Sequence, residues 1–157
     1  MTTRQLLVLA VVALLLTALV LRVEHRGAPA GVVVADPVRT PGVLNPEVTQ
    51  ATIASTICVR GWTRTVRPPV EYTNALKSRQ MRAYSEAGPS SAYQEDHLIS
   101  LELGGDPTDP RNLWPEPYPR ASAVDRIEND LNAKVCAGSL SLRDAQERES
   151  ALKHGEG

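Results

Sequence analysis

One histidine lies in the body of the chain, His97, and it directly follows an aspartate, Asp96, in the segment YQEDHLISLELGG. His25 and His154 sit towards the two ends. An acid beside a neutral imidazole suits hydrolysis, because the carboxylate can hold a divalent cation while the imidazole takes a proton from water. Asn112 arrives 15 positions after His97, and Asp125 and Glu128 follow on the next amphipathic stretch. An amide can fix the orientation of the imidazole, and an acid on a following helix can return a second ligand to the metal. An extended D-H piece, the Gly104-Gly105 turn, an Asn-bearing second piece and a helix are together what a one-metal phosphodiesterase needs. Taken singly, each part has a plainer reading: a surface pair, an ordinary turn, an Asx turn at Asn112, and a solvated helix edge.

Charge is distributed to match. Residues 56–84 carry Arg60, Arg64, Arg67, Lys77, Arg79 and Arg82 against the single acid Glu71, whereas residues 85–130 are strongly acidic. A basic arm beside an acidic segment suits a site that grips phosphate and holds a metal; separate solvated faces are the plainer alternative. No Ser or Cys nucleophile motif supports another kind of hydrolase. At 157 residues the chain has room for one small domain, which excludes repeat arrays and multidomain enzymes. Aromatic residues make up only 4%, with no Phe, so the core must be aliphatic, and 12 Pro with 10 Gly imply many turns.

The elements that must position these residues are legible in outline. Asn45-Pro46-Glu47 reads as a helix start, with Asn as cap and Pro in the first turn, for a helix to about Thr56. GWTRTVRPP reads as a strand or extended arm, and residues 72–84 as a helix. Residues 93–115 read as two short extended pieces joined by a turn-rich loop, with Leu98, Ile99, Leu101 and Leu103 as an apolar run. Val124, Ile127, Leu131 and Val135 form an apolar stripe over 121–135, flanked by a polar edge of Asp125, Glu128 and Asn132. Ser141 with Asp144 opens a last helix, to about Ala151, in the manner of a capping box.

Residues 6–21 are apolar except for Thr17, and Arg4 precedes them. At about 1.5 Å per residue this run spans roughly 24 Å, short of a ~30 Å hydrocarbon core. It suits a signal peptide cleaved after Ala28-Pro29-Ala30, or an uncleaved anchor in the membrane through residues 6–21. Residues 1–26 are assigned to this segment, 27–44 to a tether and 45–157 to the domain, which would be secreted or held outside the cytoplasm. Cys58 and Cys136 form no metal or redox motif. In an exported chain an even count favours a disulfide between them, two buried thiols being the alternative.

D-H-L-I-x-L-E-L-G-G followed by N-L-W-P resembles the ββα-metal core of HNH endonucleases. The stretch TPGVLNPEVTQATIASTICVRGWTRTVRPP, with EDHL, NLWPEP and L-x-x-x-V-C, is similar to bacterial HNH-nuclease-like proteins with an exported N-terminus. This likeness covers roughly residues 38–147. It implies an α+β fold: a small ββα-metal core with additional helices. It implies Asp96 as first metal ligand, His97 as general base, Asn112 as the residue that positions the base, and Asp125, then Glu128, as the ligand from the helix. Val124 departs from the K-D-x-x-E that such chains often show, and Ser100 from the Pro of D-H-L-I-P-L. The implied cofactor is a divalent metal, magnesium or manganese on oxygen ligands. The implied partner is nucleic acid, DNA before RNA, its backbone held by the six basic residues above. The alternative is an HNH-like fold kept as a non-catalytic exported binding or structural module.

Overall fold

The structure, a computed structural model, describes residues 33–155. Its elements run α1 (Trp62–Val66), α2 (Val70–Ala83), β1 (Tyr93–His97), β2 (Leu113–Pro117), α3 (Tyr118–Cys136) and α4 (Leu142–Lys153). The architecture is α+β: four helices with a two-stranded antiparallel sheet among the described residues.

α3 forms because small and aliphatic residues recur at helical spacing. Its buried stripe is Ala121, Val124, Glu128, Leu131 and Val135, not the purely apolar stripe expected. Ile127 is 41% exposed, and Glu128 takes an inward place at 6%. α4 begins as expected, with Ser141 Oγ accepting from Asp144 N at 3.1 Å. Its inward residues are Leu142, Ala145, Glu149 and Lys153, so two charged side chains again stand where apolar ones would be ordinary. Ile99, Leu103, Leu131, Val135, Leu142 and Ala145 pack into the main core with Val48 and Ile57. Trp114 is fully buried with Leu98 and Ala35 in a second cluster. Both tryptophans pack, Trp62 against the main core.

Three local expectations are corrected. The helix expected from Asn45 to Thr56 is a series of turns with one 3-10 turn at Ile53–Ser55. Asn45 Oδ1 accepts from Glu47 N at 3.0 Å as an Asx turn. Thr52 Oγ1 donates to Glu47 O at 2.7 Å and Thr56 Oγ1 to Thr52 O at 2.8 Å, so hydroxyls compete with the helical ladder. The arm GWTRTVRPP is helical over Trp62–Val66; Pro68-Pro69 end it, and Trp62 packing on the core decides its conformation over the Thr/Val preference for strand. The run Leu98–Leu103 is a buried loop with a 3-10 turn at Leu101–Leu103, the strand lying upstream at Tyr93–His97.

Residues 33–44, expected as tether, belong to the compact unit that starts at Val33. Ala35 N donates to Lys153 O at 3.0 Å, Asp36 N to Tyr84 Oη at 3.0 Å, and Leu44 bridges to Gly105. The signal peptide or anchor expected over 1–26, with the first part of the tether, lies outside the described residues. No helix among the described residues is long and apolar enough to cross a membrane. Cys58 and Cys136 are disulfide-bonded across a sequence separation of 78, which ties the segment before α1 to the end of α3.

Candidate functional site

β1 and β2 pair in a register that sets Asp96 opposite Trp114 and His97 opposite Leu113. The loop between them is held by Asn112, which is fully buried. Its Oδ1 accepts from Ile99 N at 3.0 Å, and its Nδ2 donates to Ile99 O at 3.0 Å and Asp106 O at 2.9 Å. Gly104 has φ +80°, and a Cβ at Gly105 would stand 1.8 Å from Ile99 O and 2.6 Å from Asn112 Nδ2. The Gly-Gly pair therefore lets the loop close around the amide, as only a residue without a side chain can.

That loop ends on His97. Pro107 O lies 3.1 Å from His97 Nε2, and a carbonyl only accepts, so Nε2 carries the hydrogen. In the neutral ring the free lone pair is then on Nδ1. Burial pushes the His97 pKa down, against the Pro107 carbonyl and Asp96, which favour the charged form. The imidazole is thus kept neutral and basic at one defined nitrogen. Asn112 does this at one remove: its hydrogen bonds go to the loop, and the loop holds the imidazole.

His97 and Asp96 line a polar cleft of about 200 Å³ with Asp125, Glu128 and Asn129 of α3, Glu102 of the loop, and Thr63 and Arg67 at α1. Behind it lies a buried charge cluster. Lys153 Nζ is 2.6 Å from Glu128 Oε1, 2.9 Å from Asp96 Oδ2 and 3.4 Å from Glu149 Oε1, and it also donates to the His97 carbonyl. Gln94 Nε2 donates to Asp96 Oδ1 at 3.1 Å. Ser100 N donates to both Glu149 oxygens at 3.0 Å.

Burial alone would raise the Asp96 pKa. The Lys153 ammonium and a hydrogen bond from Glu116 overcome it and hold this carboxyl at about 2. Burial and the neighbouring Asp96 push Glu116 up to about 8, against Lys153 and Arg120, whose Nη1 stands 2.5 Å from Glu116 Oε1. Burial raises Glu128 and Glu149 despite Lys153. Burial opposes charge on Lys153, but Asp96, Glu149 and Glu128 keep its pKa well above normal. Glu102 is raised by burial and by Glu128 and Asp125, against Arg67 and Lys153.

Of the residues singled out in the sequence, Asp96, His97, Asp125, Glu128 and Arg67 meet at this cleft, with Asn112 beneath it. The other basic residues do not line it. Arg60 borders a second hollow beside the disulfide, and exposed Arg64 folds back near Gly61. Lys77 Nζ donates to Tyr93 O at 3.0 Å and Arg82 Nη1 to Ser78 O at 2.6 Å. Lys77 and Arg79 of α2 act on Glu95, the strand neighbour of Asp96, not on the cleft. The sequence reading missed Lys153, Glu149 and Glu116. The available signal was a charged residue at a helical stripe position, as at Glu149 and Lys153.

Asp96, Asp125 and Glu128 offer the hard carboxylate oxygens that magnesium and manganese take. Among the described residues, however, no group of three or more His, Cys, Asp or Glu is arranged to hold a metal ion. Asp96 and Glu128 instead share an ammonium. Compared with known proteins, the chain matches no family model, no curated protein and no solved structure.

Proposed function

We propose that this chain is a nuclease that hydrolyses phosphodiester bonds of nucleic acid, DNA before RNA, outside the cytoplasm, with His97 as general base. The observation that carries the reading is the fixed tautomer of His97. Its Nε2–H is committed to Pro107 O, so the basic nitrogen is Nδ1, and His97 lines a cleft with Asp96, Asp125 and Arg67. Nδ1 takes a proton from a water, whose oxygen attacks phosphorus while the bond to the leaving oxygen breaks; solvent returns a proton to that oxygen. Arg67 pairs with the phosphate without reading sequence. Asp96 and Asp125 would hold magnesium or manganese, whose chemistry when bound is to neutralise charge on the phosphate and the leaving oxygen. The disulfide between Cys58 and Cys136 supports an oxidising compartment.

One observation favours a second reading. Lys153 already neutralises Asp96 and Glu128, as it would in an HNH-like module kept for binding alone. Cleavage of plasmid and RNA by the full chain, with magnesium, manganese or EDTA and beside His97→Ala, separates the two. Metal-dependent cleavage lost in the variant supports the nuclease; a folded chain that cleaves neither substrate in any metal supports the binding module.

A further inference from the structure

We propose that the ammonium of Lys153 is the resident cation of this site, and that the end of α4 is a plug which a divalent cation must displace to engage Asp96 and Glu128 together. For its link to catalysis this rests on the hydrolytic reading; the competition itself rests on charge and geometry.

Lys153 Nζ is ringed by oxygens from three elements: Asp96 Oδ2 and the His97 carbonyl from β1, Glu128 Oε1 from α3, and Glu149 Oε1 from α4. Carboxylates with one backbone carbonyl are the donor set that hard divalent cations take. The spacing is that of an ammonium, since the carboxylate oxygens stand 2.6 to 3.4 Å from Nζ, whereas magnesium requires about 2.0–2.1 Å and calcium about 2.3–2.6 Å. A dication cannot share the centre with Lys153, because two like charges at hydrogen-bond range repel. The neighbouring guanidinium, Arg120, is spent on Glu116 Oε1 at 2.5 Å, so among the described residues Lys153 is the one cationic side chain paired with Asp96, Glu128 and Glu149.

Outside the cluster, the end of α4 is tied down by three further bonds. Lys153 is the last residue of α4. Its carbonyl accepts from Ala35 N at 3.0 Å, Leu152 O accepts from Arg120 Nη2 at 2.7 Å, and His154 Nε2 bonds Thr40 O at 3.0 Å. Displacing Lys153 therefore means releasing the end of α4 from residues 35–40 and from Arg120 of α3.

Manganese binding to the full chain in mild detergent, followed by the loss of the free-ion electron paramagnetic resonance signal, tests this directly. Lys153→Met is expected to bind manganese at least about tenfold more tightly than the unaltered chain, since three carboxylates lose their resident charge. Lys153→Arg is expected to bind no more tightly than the unaltered chain, and Asp96→Asn added to Lys153→Met to abolish the gain. Equal or weaker binding by Lys153→Met, or a gain that survives Asp96→Asn, overturns the proposal.

Because Lys153→Met buries uncompensated carboxylates, Lys153→Met/Glu149→Gln is run in parallel, with melting temperature as second readout. Manganese is expected to raise the melting temperature of these variants more than that of the unaltered chain. Failure of both to fold even with manganese also overturns the proposal. Cleavage by the same samples separates the two claims. A manganese gain without cleavage by any sample removes the nuclease and leaves the plug; metal-dependent cleavage without the gain does the reverse.

Discussion

Asn112 shows how one buried amide can govern a base it does not touch. Its three hydrogen bonds pin Ile99 and Asp106, and the loop so fixed presents Pro107 O to His97. Asn112→Ala leaves Ile99 N, Ile99 O and Asp106 O without these partners in a dry interior, where each unpaired group costs about 1–3 kcal/mol. A loss of about 2–4 kcal/mol in urea denaturation is therefore expected, after partial relaxation. Asn112→Asp is the sharper probe. It is nearly the same size and keeps the acceptor for Ile99 N, but turns a carboxylate oxygen towards two carbonyls. It is expected to destabilise despite its shape; an Asp variant as stable as the unaltered chain would show that the Nδ2 bonds do not hold the loop.

At the scale of elements, the cleft is made where four pieces meet, and the disulfide ties two of them together. Cys58 precedes α1 and Cys136 ends α3, so the arm bearing Thr63 and Arg67 is tied to the helix bearing Asp125 and Glu128. Cross-linking a loop this long is worth about 4 kcal/mol in the chain-entropy model. Cys58→Ala/Cys136→Ala is expected to lose about 3–4 kcal/mol of stability, read by denaturant titration, and reductant is expected to shift the unaltered chain but not the variant. Coincident curves for the two chains in the absence of reductant would refute this.

The elements that self-contained signals specify were legible in sequence: α4 from the Ser141 cap, α3 from its apolar repeat, and the hairpin from the D-H and N-L-W-P pieces around a Gly-Gly turn. The misread elements were decided at long range. Trp62–Val66 is a helix because Trp62 reaches the core, and residues 33–44 fold onto the domain through bonds to Tyr84, Lys153 and Gly105. For the site, Asp96, His97 and Asn112 carried local pattern. Lys153 and Glu149 carried only their place on the α4 stripe, where a charged residue near the end of a polar helix ordinarily faces solvent, and the packing of α4 turns these two inward.

At the scale of the whole molecule, buried carboxyls set the pH range in which the fold is most stable. Glu95 is pushed up to about 8, first by burial and then by Asp96, against Lys77 and Arg79, and both its oxygens lack hydrogen-bond partners. Its unfolded pKa is about 4.3, so between these values the folded chain binds the extra proton. The stability that Glu95 contributes is complete below the unfolded value and is lost as pH rises through about 8. Asp96 works in the other direction. Held at about 2, its contribution is present above the ordinary Asp value and is lost only as pH falls through that depressed value. Glu95 and Asp96 together therefore favour the fold on the acid side of neutrality. Glu95→Gln, neutral at every pH, isolates one limb. Relative to the unaltered chain the variant is expected to gain with rising pH between 5 and 8, by at most about 1.4 kcal/mol per unit, as read from denaturant midpoints across that range. Parallel curves for the two chains would mean that Glu95 ionises without cost in the fold, and the unpartnered carboxyl beneath α2 would then have no part in the pH response.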